Sequence, residues 1–169
     1  MKKVDCDKRH MLTAALPWAE LGNTLHVTGT CQERVTITTD RLTTNGDGSA
    51  VLDGGGTQPL IPFHGVITVD GAHGIGVTVF TIQNGPNGIV AMKGAAIAVI
   101  NVTVQDNVQG IIVMTTPRPN SQNNELGMNV FTTSSSILRG AIIMRHIWPS
   151  GLAHRNRTGA SKKAHLRQA

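Results

Sequence analysis

The chain has no tyrosine, three phenylalanines, two tryptophans and only 15% charged residues in a length of 169. Sugar subsites are commonly built from flat aromatic surfaces, so this scarcity argues against an independent glycan-degrading enzyme. Phe80 is predicted to point inward, Trp18 falls in an N-terminal capping segment and Trp148 in an irregular C-terminal part, so no aromatic row runs along the surface. No apolar run approaches the roughly 18 to 20 residues that a bilayer-crossing helix needs. Residues 1–10 carry charge with no apolar stretch after them, so neither a membrane span nor an intact signal peptide is expected. The histidines at 10, 26, 64, 73, 146, 154 and 165 lack the i, i+4 or Cys-linked spacing of a metal site. Structural or solvent-exposed roles are expected for them, with no metal and no cofactor. Two glycosylation tripeptides, at 101–103 and 156–158, match no more than chance supplies and carry no weight.

Acidic residues are missing from one end. All ten Asp/Glu lie in residues 1–138 beside eight Lys/Arg, whereas residues 139–169 hold seven Lys/Arg and no acid. The formal net charge of +5 is therefore a property of the tail, over a slightly acidic body. A basic face running along the domain, which recognition of a nucleic-acid backbone requires, is absent, so nucleic acid is disfavoured as a partner except through the tail. Two cysteines, Cys6 and Cys31, stand near the N-terminus. Their spacing fits a disulfide and two buried free thiols equally well.

What is abundant is glycine, 19 residues, with Val, Ile, Leu and Ala, a composition of short strands and tight turns. The chain also repeats itself. Residues 75–90 match 97–112 at an offset of 22: Ile75 with Ile97, Val77 with Val99, Thr81 with Thr103, Gln83 with Gln105, Gly88 with Gly110 and Ile89 with Ile111. Apolar residues alternate briefly and then change phase, as they do when a strand ends at a corner, which predicts three short strands per unit. Each is too short to bury itself, and stacking equivalent strands gives a continuous apolar column. Upstream, Val66 and Val69 align with Ile89 and Met92 at an offset of 23, with the extra residue assigned to the turn at His73 and Gly74. Downstream, residues 127–130 resemble the starts at Gly88 and Gly110 after a shortened unit. Asn84, Asp106 and Asn123 each stand four residues before such a glycine, so their side chains are expected to stack at one corner.

The expectation is an all-β fold, a parallel β-solenoid with a short N-terminal capping helix: cap 1–22, coils 23–147 and a basic, poorly ordered tail 148–169. Leu12, Ala15, Leu16 and Ala19 fall at helical spacing, with Asp7 as the candidate N-cap, Gly22 at the end and Pro17 restricting the helix to a short piece.

Cys6, a small helix over 12–21, the turn Gly22-Asn23-Thr24 and the segment Gly29-Thr30-Cys31-Gln32-Glu33 together resemble the right-handed parallel β-helix repeat proteins of the pectin-lyase-like group. The match covers residues 4–113 and continues through Val35, Ile37, the turn at 42–46 and the Gly-rich loop Asp53-Gly54-Gly55-Gly56. The resemblance implies a right-handed coil, an extracellular or cell-surface setting, a Cys6–Cys31 disulfide and association with polysaccharide. The fold hosts many activities, so function must be argued from the site. Beyond Arg139 the pattern gives way to Trp148-Pro149 and the basic tail, which suggests a fragment or an altered reading frame.

A polysaccharide lyase needs acidic ligands for a cation and a Lys or Arg as base, and a hydrolase needs two carboxylates. The candidates are Asp70 and Lys93, expected side by side on neighbouring coils, and their first reading is a surface ion pair. Asp47 and Asp53 lie in Gly-rich loops and are expected to make turns. The expected function is thus a non-catalytic extracellular β-helix module; the alternative is a truncated lyase or hydrolase acting on acidic polysaccharide. Self-association is expected through an uncapped C-terminal end near residues 137–147.

Overall fold

The computed structural model describes residues 2–56, 64–114, 129–130 and 136–144. Alternation in the sequence becomes alternation of burial. In β2 (Thr24–Thr28) Leu25 and Val27 are buried while Thr24, His26 and Thr28 face outward, and β6 (Val51–Asp53) and β9 (Thr81–Gln83) each bury only the middle residue. One buried residue in two is what a strand with a single dry face produces. A three-residue strand cannot stand alone, and the structure stacks such strands in parallel into three columns.

The first column runs β1 (Lys2–Asp5), β2, β5 (Thr43–Asn45), β8 (Ile75–Thr78) and the first half of β11 (Ile97–Val104). The second runs β3 (Thr30–Gln32), β6, β9 and the second half of β11, and stacks Cys31, Leu52, Ile82 and Val104 inward. The third runs β4 (Val35–Ile37), β7 (Ile67–Asp70), β10 (Asn87–Met92) and β12 (Gln109–Val113), with Val35, Ile67, Ile89 and Ile111 in line. The molecule is the expected parallel β-helix. Thr44 interrupts the inward apolar row of the first column, fully buried, and its hydroxyl donates to the Gly76 carbonyl at 3.4 Å.

Coil length varies. Thr24 pairs with Thr43 and Thr43 with Gly76, whereas Ile75 pairs with Ile97. The offset of 23 expected upstream is corrected: Ile67 pairs with Ile89 and Asp70 with Met92, so the spacing is 22 here too, with no extra residue at His73 and Gly74. Val66 and Ile67 are adjacent and both fully buried, so alternation alone could not tell which of them lies in register.

The cap differs in three ways. An N-terminal strand, β1, precedes it and pairs with β2, Val4 opposite Val27. The helix expected over 12–21 is one short α-turn, α1 (Leu12–Ala15), followed by a 3₁₀ turn at Leu16–Trp18. Pro17 lacks the N–H that would continue the α-helical bonding. Leu12 and Leu16 are buried against the core, with Ala15 and Ala19 packed beside them. Finally, Asp7 does not cap α1; it sits in a 3₁₀ turn at Cys6–Lys8 and accepts the Thr30 N–H at 3.1 Å.

At the other end the parallel winding stops. β13 (Asn129–Val130) pairs antiparallel with β12, and β14 (Ser136–Met144) runs antiparallel along β11, Ile97 opposite Met144 and Val104 opposite Ser136. Where a parallel coil was expected near 137–147, the described residues 136–144 form a reversed strand beside β11, and 145–147 lie outside the described residues. Asn123, Trp148 and the tail 148–169 lie outside the described residues.

Corners carry left-handed residues. Val79 has φ 59° and Asn101, its counterpart one coil on, φ 53°. Asn tolerates this region, whereas a β-branched residue there is strained by about 1 kcal/mol or more. Val79→Asn is expected to stabilise the fold by about 1 kcal/mol in urea unfolding; a loss of stability would show that Val79 packing outweighs its backbone strain.

Candidate functional site

Three polar constellations stand on the coils. The first joins cap to column. Cys6, in the turn after β1, and Cys31, on β3, form a disulfide with Cα atoms 5.0 Å apart. Gly29, just before β3, has φ +78°, and a Cβ there would run into the Asp7 carboxyl group that bonds Thr30. Glu33, buried to 9% exposure, aims its two carboxylate oxygens at the start of α1 and accepts the N–H of Leu12 at 2.6 Å and of Thr13 at 2.9 Å. The Ncap position, Met11, makes no side-chain cap bond, so a glutamate some twenty residues away in sequence does that work. Glu33→Ala orphans two amide groups, one of them in a buried bond, and is expected to lower stability by about 2 kcal/mol, with exchange protection of residues 12–16 lost first. Protection unchanged in the variant would remove Glu33 from this role.

The second constellation is a ladder on the outer face of the second column. Gln105 Nε2 donates to Gln83 Oε1 at 3.1 Å, and Gln83 Nε2 donates to Asp53 Oδ2 at 3.1 Å. Asn84 Nδ2 also donates to Asp53 Oδ2, at 2.7 Å, and Asp53 Oδ1 accepts the Gly55 N–H at 2.9 Å. Asp53 thus closes its own loop, the turn-making role read from the sequence. Of the corner residues, Asn84 and Asp106 occupy equivalent left-handed positions, φ 56° and 53°. The bonded ladder passes one residue before them, through Gln83 and Gln105, and Asn84 enters it only by its bond to Asp53. The Gln83–Gln105 match at an offset of 22 was the signal that could have found it. Inside the same corner, Asn107 accepts the Gly85 N–H at 2.8 Å and donates to the carbonyls of Ile82 and Gln105.

Burial pushes the Asp53 carboxyl up, but the hydrogen bonds from Gln83, Gly55 and Asn84 outweigh it and leave the pKa below its ordinary value of 3.8. A carboxyl depressed on folding stabilises the fold fully above its unfolded pKa, and that contribution is lost as pH falls through the folded value. The stability difference between wild type and Asp53→Asn is therefore expected to shift against wild type as pH falls from about 5 through the lowered folded pKa. A pH-independent difference would contradict the bonding described.

The third constellation is the Asp70 and Lys93 pair. Asp70 is opposite Met92 in the ladder, and Lys93, left-handed at φ 52°, reaches back to place Nζ 2.7 Å from Asp70 Oδ2. The lysine side chain is 64% exposed and the aspartate 25%, which describes a surface pair of small energetic weight. Oδ1 of Asp70 is buried with no hydrogen-bond partner among the described residues. Elsewhere, His26 Nδ1 lies 3.1 Å from Asp47 Oδ1, Asp40 accepts the His73 N–H at 2.8 Å, and Arg34 holds the Gly54 and Gly56 carbonyls at 3.0 and 2.8 Å. Among the described residues, one group of three metal-ligating side chains comes together, Cys6, Cys31 and Glu33. No helix among them is long and apolar enough to cross a membrane.

No family model, curated protein or solved structure matches the chain.

Proposed function

We propose that the chain is a non-catalytic β-helix module of an extracellular protein, offering its coil surface to polysaccharide. The observation that carries this reading is the use to which the carboxylates are put. Asp7 ties a turn to β3, Glu33 caps α1, Asp40 takes a backbone N–H, Asp47 pairs with His26 and Asp53 anchors the ladder. Acids committed to turns, caps and ladders are not poised as a hydrolytic pair. The disulfide is compatible with an oxidising, extracellular setting.

The orphaned Asp70 Oδ1 favours a second reading, a truncated lyase or hydrolase in which Asp70 and Lys93 meet an acidic polysaccharide. Incubation with a panel of acidic polysaccharides, with and without calcium, separates the two. Retention on polysaccharide gels without cleavage is expected. Reproducible cleavage that disappears in Asp70→Asn or Lys93→Ala would replace the first reading by the second, and neither retention nor cleavage would sink both.

A further inference from the structure

The Cys6–Cys31 bridge has a neighbour that it does not use. The two sulfurs and a carboxylate oxygen of Glu33 all lie within 4.8 Å of one another, and all three residues are buried. Glu33 is held in this position by the N–H groups of Leu12 and Thr13. A carboxylate has about four lone-pair positions, so two such bonds leave capacity on the same oxygens.

We propose that reduction of the bridge turns Cys6, Cys31 and Glu33 into a binding site for a zinc-class divalent cation, with water as the fourth ligand. Two thiolates and one carboxylate in a tetrahedral shell suit a borderline-soft cation and select against calcium and magnesium, which take all-oxygen shells. Zinc–sulfur bonds of about 2.3 Å hold two sulfurs just under about 4 Å apart. With Cα atoms 5.0 Å apart, side-chain rotation can provide that separation. Charge supplies the driving force. Two thiolates beside a buried carboxylate bring three negative charges together, and a dication offsets two of them where water cannot.

The chemistry balances with a dithiol or phosphine as reductant. Two electrons and two protons enter the S–S bond, giving two thiols and the oxidised reductant. The cation then displaces both thiol protons to solvent as two metal–sulfur bonds form. In reverse, a disulfide oxidant removes two electrons, both metal–sulfur bonds break, the S–S bond forms and the cation leaves. The cap is thus clamped to the first coil by metal under reducing conditions and by the bridge under oxidising ones. This inference does not depend on the polysaccharide reading.

The test is cobalt titration of the full chain, reduced by a phosphine and handled without oxygen. One equivalent of cobalt is expected to give thiolate-to-metal absorption that zinc abolishes, while the oxidised chain gives none. Zinc should raise the melting temperature of the reduced chain only. Glu33→Gln is expected to weaken cobalt binding roughly tenfold or more, and Cys31→Ser, which keeps Glu33 and its two bonds, to abolish the absorption. If reduction alone unfolds the chain, refolding with cobalt must restore both the β-type circular dichroism and the absorption. No thiolate absorption, two chains per cation, or undiminished affinity in either variant would overturn the proposal.

Discussion

Replacing Cys6 and Cys31 together by Ala is expected to lower the unfolding free energy by about 3 kcal/mol. The bridge closes a loop across a sequence separation of 25, and the chain-entropy argument gives roughly that value for a loop of this size. Its position adds a local effect. The bridge, Glu33 and the Asp7 bond all join the cap to β3 and the segment after it, and in a stacked fold each coil is supported chiefly by its neighbours. Hydrogen exchange should therefore show residues 2–22 losing protection before the coils from β5 onward. The measurement is a pair of urea unfolding curves under non-reducing conditions. A difference below about 1 kcal/mol, with cap protection unchanged, would mean that packing of Leu12 and Leu16 holds the cap without the bridge.

Gly88→Ala is expected to cost about 3 kcal/mol, at the upper end for one methyl group forced into a packed interior. A Cβ at Gly88 would stand 2.5 Å from Val104 Cγ1 and 2.7 Å from the Gly110 carbonyl oxygen. Val104 is buried at the end of the second column, and Gly110 belongs to the next strand of the third, so neither can yield without disturbing the stack. The glycine recurs because two columns meet there at close range, not because of its backbone angles. Gly76→Ala is the control. Its nearest atom would be the Thr43 hydroxyl at 3.0 Å, on a half-buried side chain of the outward row, and a change under about 1 kcal/mol is expected. Equal losses at the two positions would show that close packing is not what selects glycine at 88.

The repeat was legible because a stacked fold places the same demand at the same point of every coil. Ile82 faces Val104, and Ile89 faces Ile67 and Ile111, so each site asks for a similar residue and the offset of 22 is written in residue types. Inward alternation, the burial of Phe80 and a short helix broken near Pro17 follow from equally local rules. The Cys6–Cys31 pairing was less local, since spacing left free thiols equally open and only resemblance favoured the bridge.

Other features were decided by contacts that no local pattern encodes. Asp7 was the cap candidate that the sequence offered, yet Glu33 does the capping because the first coil carries it beneath α1. The register of β7 hung on two adjacent valine and isoleucine residues, both buried, and only pairing with β10 selected Ile67. Gln83 and Gln105 rather than Asn84 and Asp106 form the ladder: Gln83 ends β9 and Gln105 directly follows β11, whereas Asn84 and Asp106 stand one residue on, in left-handed backbone. The reversal of β14 over β11 was likewise hidden, since alternation is the same whichever way a strand runs. Direction is set by where the chain turns, and that depends on tertiary structure, whereas the period of a strand is a property of its own backbone.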